Sequence, residues 1–219
     1  MAHPKAPGKP NPRHLSQTTE HGTPSDIIES ARALMGGIDL DPASDALFNT
    51  VVKAETYFTE QDNGFTRPWH GRVLLNPPGG LCDDVGKRIL MSKGHGYVYP
   101  DGKPALSHHS AMAWWWIKLM HELKNLHEAI FIGFSIELFQ RVQSVISRYQ
   151  TSKWIRYPTD FPFCVPTERI PFLKKEGNKV VQSKAPTHAN AISFVCTGDD
   201  RKQAFKLHFS RYGAVVIPS

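Results

Sequence analysis

The sequence predicts an α/β fold in which a mainly parallel sheet is flanked by helices. Val73-Leu74-Leu75 and Ala129-Ile130-Phe131-Ile132 are short unbroken apolar runs, as strands covered on both faces require. Ile27, Ile28, Ala31, Leu34 and Met35, and later Leu138, Phe139, Val142, Val145, Ile146 and Tyr149, recur at helical spacing. The order from Thr23 to Phe134 reads helix, strand, irregular segment, strand, insertion, helix, strand, an alternation that sets strands side by side in parallel with helices over them.

Residues 1–22 hold Pro4, Pro7, Pro10 and Pro12 with Lys5, Lys9 and Arg13 and almost no large apolar side chain, so they read as a flexible basic tail before one domain over 23–219. Whether that tail contacts phosphate or is an inert leader stays open. Thr23 is the expected N-cap of the first helix, with Pro24 at its first position and Asp26 near the positive end of its dipole; Gly36-Gly37 ends it. Ile38 to Asp41 reads as a short strand stopped by Pro42, which leaves Asp39 and Asp41 at or near its C-terminal end. Asp45 to Thr59 has no clear period, and Val51 and Val52 fit either a short helix or a strand. Arg72 to Leu75 is the next strand, halted by Asn76-Pro77-Pro78.

Residues 79–110 combine Gly79, Gly80, Gly86, Gly94, Gly96 and Gly102 with Lys87, Arg88, Lys93, Lys103, His95, His108 and His109. They read as a long loop-rich insertion, which in a compact domain signals function or disorder. A helix is expected from Ala111 to about Leu126, striped by Ile117, Met120 and Leu123, and a strand over Ala129 to Phe134. Trp154 to Tyr157, Ile170 to Leu173, Ala191 to Cys196 and Ala214 to Ile217 are strand candidates, and Asp199 to Arg211 is a helix candidate.

Lys and Arg outnumber Asp and Glu by 26 to 20, a formal charge of +6 over 219 residues. That suits a polyanionic partner but is lower than a DNA-coating protein carries, so charge alone does not establish nucleic-acid binding. An apolar fraction of 40% with no run of about 18 apolar residues excludes a fully disordered chain and a membrane-spanning helix. The first residues lack an apolar signal region, and Cys82, Cys164 and Cys196 are an odd number spread far apart; the expectation is reduced thiols in the cytoplasm. The Cys and His residues show no zinc spacing, so no metal is expected, and no Gly-x-Gly-x-x-Gly or Walker loop supports nucleotide hydrolysis.

In an open α/β sheet, ligands bind beyond the carboxyl ends of the strands. Two such ends are polar here, Asp39/Asp41 and Asn76-Pro77-Pro78. Alone, Asn-Pro-Pro marks a turn. Far more specific is the ordered set Gly22-Thr23-Pro24, Gly37-Ile38-Asp39-Leu40-Asp41-Pro42-Ala43-Ser44, Asn49, Tyr57-Phe58-Thr59, Asp62-Asn63-Gly64-Phe65, Trp69 and Val73-Leu74-Leu75-Asn76-Pro77-Pro78. From about His21 to Gly80, and more weakly beyond, the chain resembles the phage-type DNA adenine-N6 methyltransferases, which use S-adenosylmethionine.

The resemblance implies a Rossmann-like methyltransferase fold, a phage or prophage gene, and methyl transfer to the exocyclic amine of an adenine flipped out of DNA. That amine is a poor nucleophile because its lone pair is conjugated into the ring. Two oxygens accepting its hydrogens would push it toward a tetrahedral, donating geometry, and Asn76 Oδ1 and the Pro77 carbonyl fit those roles. Pro77 and Pro78 fix the backbone that aims them, and no charged base of tuned pKa is required. On the cofactor side the resemblance implies Asp39 and Asp41 for the α-ammonium, Asp62 for the ribose hydroxyls or the adenine amine, and Pro42, Ala43 and Ser44 for close backbone approach, with Pro24 and Asn49 in the same pocket.

One position departs from the family pattern. Gly79 stands where an aromatic residue commonly stacks on the extruded base; either another ring substitutes, with Tyr97, Tyr99 or one of Trp114, Trp115 and Trp116 the nearest candidates and three consecutive helical residues pointing about 100° apart, or the flipped base is held less well. The insertion is the expected target-recognition region, with Lys87, Arg88, Lys93 and Lys103 on phosphates, His108 and His109 near the groove, Gly79-Gly80 allowing close approach and Tyr97 a further nucleic-acid contact; Lys174, Lys175, Lys179 and Lys184 extend the basic set. The implied partner is double-stranded DNA and the implied state a monomer or weak dimer. Two alternatives share these residues: a methyltransferase acting on RNA or on a protein amide nitrogen, and a catalytically silent DNA-binding relative, which the glycine at 79 motivates.

Overall fold

A computed structural model describes residues 21–92, 94, 96–149, 155–183 and 188–219. The basic tail up to residue 20, Lys93, His95, Trp154 and Lys184 lie outside the described residues. Helix α1 (Ser25–Met35) turns Ile27, Ile28, Ala31 and Leu34 inward and ends on Gly36, whose left-handed backbone (φ 78°) sends its N–H to the Arg32 carbonyl. β1 (Leu40–Asp41) follows, then α2 (Ala46–Val52), capped by the Asp45 carboxylate on Leu47 N–H (2.7 Å) and Phe48 N–H (3.0 Å), then β2 (Thr56–Tyr57). β3 (Gly71–Leu75) is the buried strand expected before Asn76.

The insertion contains β4 (Leu81–Cys82), β5 (Arg88–Ser92), β6 (Gly96–Val98) and β7 (His109–Ser110). Beyond it come α3 (Ala111–Glu122), β8 (Leu126–Gly133), α4 (Leu138–Tyr149), β9 (Phe163–Pro166), the hairpin β10 (Leu173–Glu176) and β11 (Lys179–Gln182), β12 (Ala191–Val195), α5 (Asp199–Phe209) and β13 (Gly213–Val216).

The main sheet has the order β13-β9-β12-β8-β3-β1-β2. It is mixed, which corrects the expectation of a mainly parallel sheet. β2, β1, β3 and β8 pair in parallel, whereas β8–β12, β12–β9 and β9–β13 are antiparallel. The alternation that forces parallel crossovers holds only to β8. Between β9 and β12 the described chain makes the β10–β11 hairpin instead of a helix, and an antiparallel partner needs no helical crossover. α5 then joins β12 to β13, which run the same way on either side of β9.

The sheet is covered on both faces, and side-chain alternation along β3 shows how. Val73 and Leu75 pack with Trp116, Leu119, Phe131, Leu138 and Phe161 beneath α3 and α4; Leu74 packs with Ile28, Ile130, Ile132, Phe194, Phe205 and Phe209 beneath α1 and α5. Both clusters exclude water almost completely, which makes the central strands a rigid base for the loops at their carboxyl ends.

Several expectations differ from what is observed. Thr23 does not cap α1: Pro24 occupies the cap position with no side-chain bond, because the chain before it is tied to β10 through Gly22 N–H to Leu173 O (2.9 Å) and the reciprocal 2.7 Å bond. The irregular stretch resolves into α2 and β2. The insertion is a small antiparallel sheet of order β6-β5-β4-β7, its strands too short and polar to show alternation. The Asp83 carboxylate takes the Val85 and Lys87 amides to close its first turn, with Gly86 left-handed at φ 78°. α3 stops at Glu122, residues 155–157 form no strand, β9 matches none of the expected strands, and the strand expected from Ile170 starts at Leu173. Among the described residues no helix is long and apolar enough to cross a membrane, and no three His, Cys, Asp or Glu side chains gather as a metal site requires.

Candidate active site

β1 and β3 are parallel neighbours with Leu40 opposite Val73, so their carboxyl ends emerge side by side. Between those ends and the β4–β5 hairpin lies a cleft of about 370 Å³, within the range of small-molecule sites. Asp41, Pro42, Ala43 and Ser44 form one lip, and Asn76, Pro77, Pro78 and Gly79 another; Lys87 and Arg88 reach it from the hairpin. The strap His21-Gly22-Thr23, the turn Thr59 to Asn63 without Asp62, Asp45 and Trp115 also line it.

Asp41 is 5% exposed and accepts a bond from Ala43 N–H at 3.2 Å, with the Ser44 side chain also acting on its carboxylate. Burial pushes its carboxyl up to about 7, and the neighbouring Asp45 adds to the rise. A buried acid poised near neutrality gains most from an arriving cation, which restores the ionised form that burial disfavours.

Asn76 is oriented by the strap. Its amide nitrogen donates to the His21 carbonyl, so its oxygen is the free end and accepts nothing among the described residues; nor does the Pro77 carbonyl. The His21 ring lies nearly parallel to Phe134, centroids 5.9 Å apart, and burial lowers its pKa, keeping it neutral. Sequence reasoning missed His21 because its contribution comes through a backbone carbonyl, which leaves no side-chain signature.

Four residues assigned to the cofactor do not line the cleft. β1 is only two residues long, so Asp39 precedes it and sits at the opposite end of the strand. There it accepts the Arg72 backbone N–H at 2.7 Å and the guanidinium Nε at 2.9 Å, and these bonds hold its carboxyl below the usual range. Pro24 precedes α1 and gives its carbonyl to Ile28 N–H. Asp62 accepts from the Thr59 hydroxyl (2.7 Å) and N–H (2.9 Å), so it shapes the turn whose neighbours do line the cleft. Asn49 accepts the Ala54 N–H at 2.9 Å and donates to its carbonyl at 3.3 Å, closing the exit of α2 after the left-handed Lys53. Asn49→Ala therefore lowers unfolding stability by about 1–2 kcal/mol, as loss of two modest bonds should, and leaves ligand affinity at the cleft unchanged; thermal melts and calorimetry on the variant check both.

Nor do all the expected nucleic-acid contacts converge. Lys103 pairs with Asp101 at 2.9 Å, and Tyr97 stacks on His108 with centroids 3.7 Å apart, both away from the cleft. The Tyr99 hydroxyl donates to Asp83 at 2.9 Å. Lys174 pairs with Glu176 and Lys175 with Asp45. Of the three tryptophans, Trp114 stacks on His109 and donates to the Asp84 carbonyl, Trp116 sits edge-on to Phe131 under the sheet, and Trp115 alone reaches the cleft. A Cβ added at Gly79 would meet nothing within 4 Å, so the backbone there is open to a side chain. Cys82 also lines the cleft, but burial pushes its thiol up to about 12, which makes it a protonated wall and no nucleophile.

Comparison with family models, with curated proteins and with solved structures gives no match.

Proposed function

We propose that this cleft moves the methyl group of S-adenosylmethionine to the N6 amine of an adenine rotated out of DNA, the reaction of the phage-type adenine-N6 methyltransferases. The observation that carries the reading is the meeting of Asp41 and the Asn76-Pro77 turn in one cleft, a cation-seeking acid beside two uncharged acceptors. The cleft's size and the near-neutral acid suit a sulfonium cofactor with an α-ammonium; bound there, it would supply an electrophilic methyl group.

The chain's own residues do the rest. Asp41 takes the ammonium and loses its proton as it does so. Asn76 Oδ1 and the Pro77 carbonyl accept the two hydrogens of the amine and turn its lone pair outward. Pro77 and Pro78 hold both oxygens in place before the base arrives, so orientation is settled before the reaction. His21 keeps the Asn76 amide from rotating. The proton released from the amine after transfer passes to solvent at the open mouth.

Gly79→Phe tests the acceptor side. The first added carbon meets open space, so the melting temperature is expected to stay within a few degrees; stacking of about 1–3 kcal/mol tightens binding of an adenine-containing oligonucleotide about tenfold. Unchanged affinity would place the base elsewhere. The reading as a whole is tested by offering labelled S-adenosylmethionine with DNA, RNA and a glutamine peptide: label in DNA adenine is expected, label confined to RNA or peptide moves the acceptor, and DNA binding without cofactor binding marks a silent relative.

A further inference from the structure

The wall facing Asp41 carries donors with nothing to donate to. Trp115 is 3% exposed, and its indole N–H has no acceptor among the described residues; Arg88 Nε is likewise buried and unpartnered. Buried donors without an acceptor are rare, and a bound water, ion or ligand is among the things that satisfy them. Arg88 and Trp115 are both among the residues that line the cleft.

Their placement is specific. Arg88 pairs in register with Cys82, and Ala111 N–H at the amino end of α3 bonds the Gly80 carbonyl at 3.0 Å, so hairpin and helix bracket the Gly79-Gly80 step just past the Asn76 turn. α3 is 12 residues long and Ser110 gives it no side-chain cap, so the positive end of its dipole lies uncapped beside the Gly79-Gly80 step. The adjacent acids are engaged: Asp83 holds its own turn and Tyr99, and Asp84 takes His109 Nε2 and the Ser107 hydroxyl. Lys87, 4.7 Å over the Tyr99 ring, adds positive charge at the rim.

We propose that Arg88 Nε, the Trp115 indole N–H and the amino end of α3 form an oxyanion subsite that grips the backbone phosphate flanking the methylated base. It rests on the nucleic-acid reading above. Asp41 on the β1 side suits a cation; the opposite wall, beside the acceptor turn, suits the anion that the nucleotide brings with it. A phosphate held there fixes the sugar of the extruded nucleotide and so sets the distance from its base to Asn76.

The test uses a labelled oligothymidine with one adenine, and the same strand with neutral methylphosphonates on both sides of that adenine. Wild-type protein is expected to lose about tenfold in affinity on neutralisation, as loss of a charge-assisted bond implies. Arg88→Gln should bind the natural strand about tenfold more weakly and respond less than twofold to neutralisation; Trp115→Phe, which keeps a ring and removes the N–H, should show the same pattern to a smaller degree. An Arg88→Gln protein that binds like wild type, or that still loses tenfold on neutralisation, overturns the subsite. S-adenosylmethionine affinity measured on the same proteins should stay within twofold; a tenfold loss there with unaltered strand binding would assign the donors to the cofactor's carboxylate and also overturn it. If the strand pattern holds while no methyl is transferred, the subsite stands and the methyltransferase reading falls; transfer without the strand pattern does the reverse.

Discussion

Asn76→Ala is expected to cut methyl transfer at least about a hundredfold, the scale on which loss of one preorganised polar group at a reacting centre acts, while S-adenosylmethionine affinity stays within a few-fold. The split follows from position. Asn76 stands on one lip of the cleft, and Asp41 on the other. Asn76 also has a structural bond, its donation to the His21 carbonyl, so a stability loss of about 1 kcal/mol accompanies the substitution. A melt shows whether the variant is folded, and single-turnover kinetics then read the chemical step alone. Turnover equal to wild type would remove Asn76 from the reaction.

Asp41→Asn acts on the other partner. Removing the carboxylate should weaken S-adenosylmethionine binding about ten- to a hundredfold, the range for a hydrogen bond to a charged group, and Asp41→Ala should do the same. The pH behaviour is more diagnostic. In the folded protein the carboxyl is raised to about 7 from 3.8, so between those values the folded state holds a proton that the unfolded state has lost. Stability contributed by this group is intact below about pH 4, declines as pH rises toward 7, and is level above it. Affinity for the ammonium runs the opposite way, rising about tenfold per pH unit up to 7, then levelling and falling once the ligand's own α-amino group titrates at about 8. Asp41→Asn abolishes both slopes. Calorimetric titrations from pH 5 to 8.5 on the two proteins read this directly, and a wild-type affinity that does not change with pH would contradict the assigned role.

How much of this was readable beforehand depended on whether a residue's neighbours in sequence or its neighbours in space decide its surroundings. Val73 to Leu75 running into Asn76-Pro77-Pro78 is a local signal: an apolar run gives the strand and proline ends it, so both position and direction follow. Asp41 and the Pro42-Ala43-Ser44 turn belong with it. Asp39 looked equivalent to Asp41 because the two are separated by one residue, yet pairing with β2 and β3 begins only at Leu40, and the Arg72 guanidinium beyond the strand start claims the earlier carboxylate. Asn49 and Asp62 carry the polar atoms a ligand needs but spend them on their own loops, a choice set by the left-handed backbone at Lys53 and by the Thr59 turn. Trp115 could not be told from Trp114 or Trp116 without the facing sheet. The reversal of β12 and β13 was hidden because helical and apolar periods carry no strand direction.

The most direct test of the shared cleft is mass spectrometry of nucleosides from DNA incubated with the purified protein and methyl-labelled S-adenosylmethionine. Label in N6-methyldeoxyadenosine with the wild-type chain, and none with Asn76→Ala, is the expected result. Adenine without label in the presence of wild-type protein that binds the cofactor, or adenine labelled equally by both proteins, would contradict it.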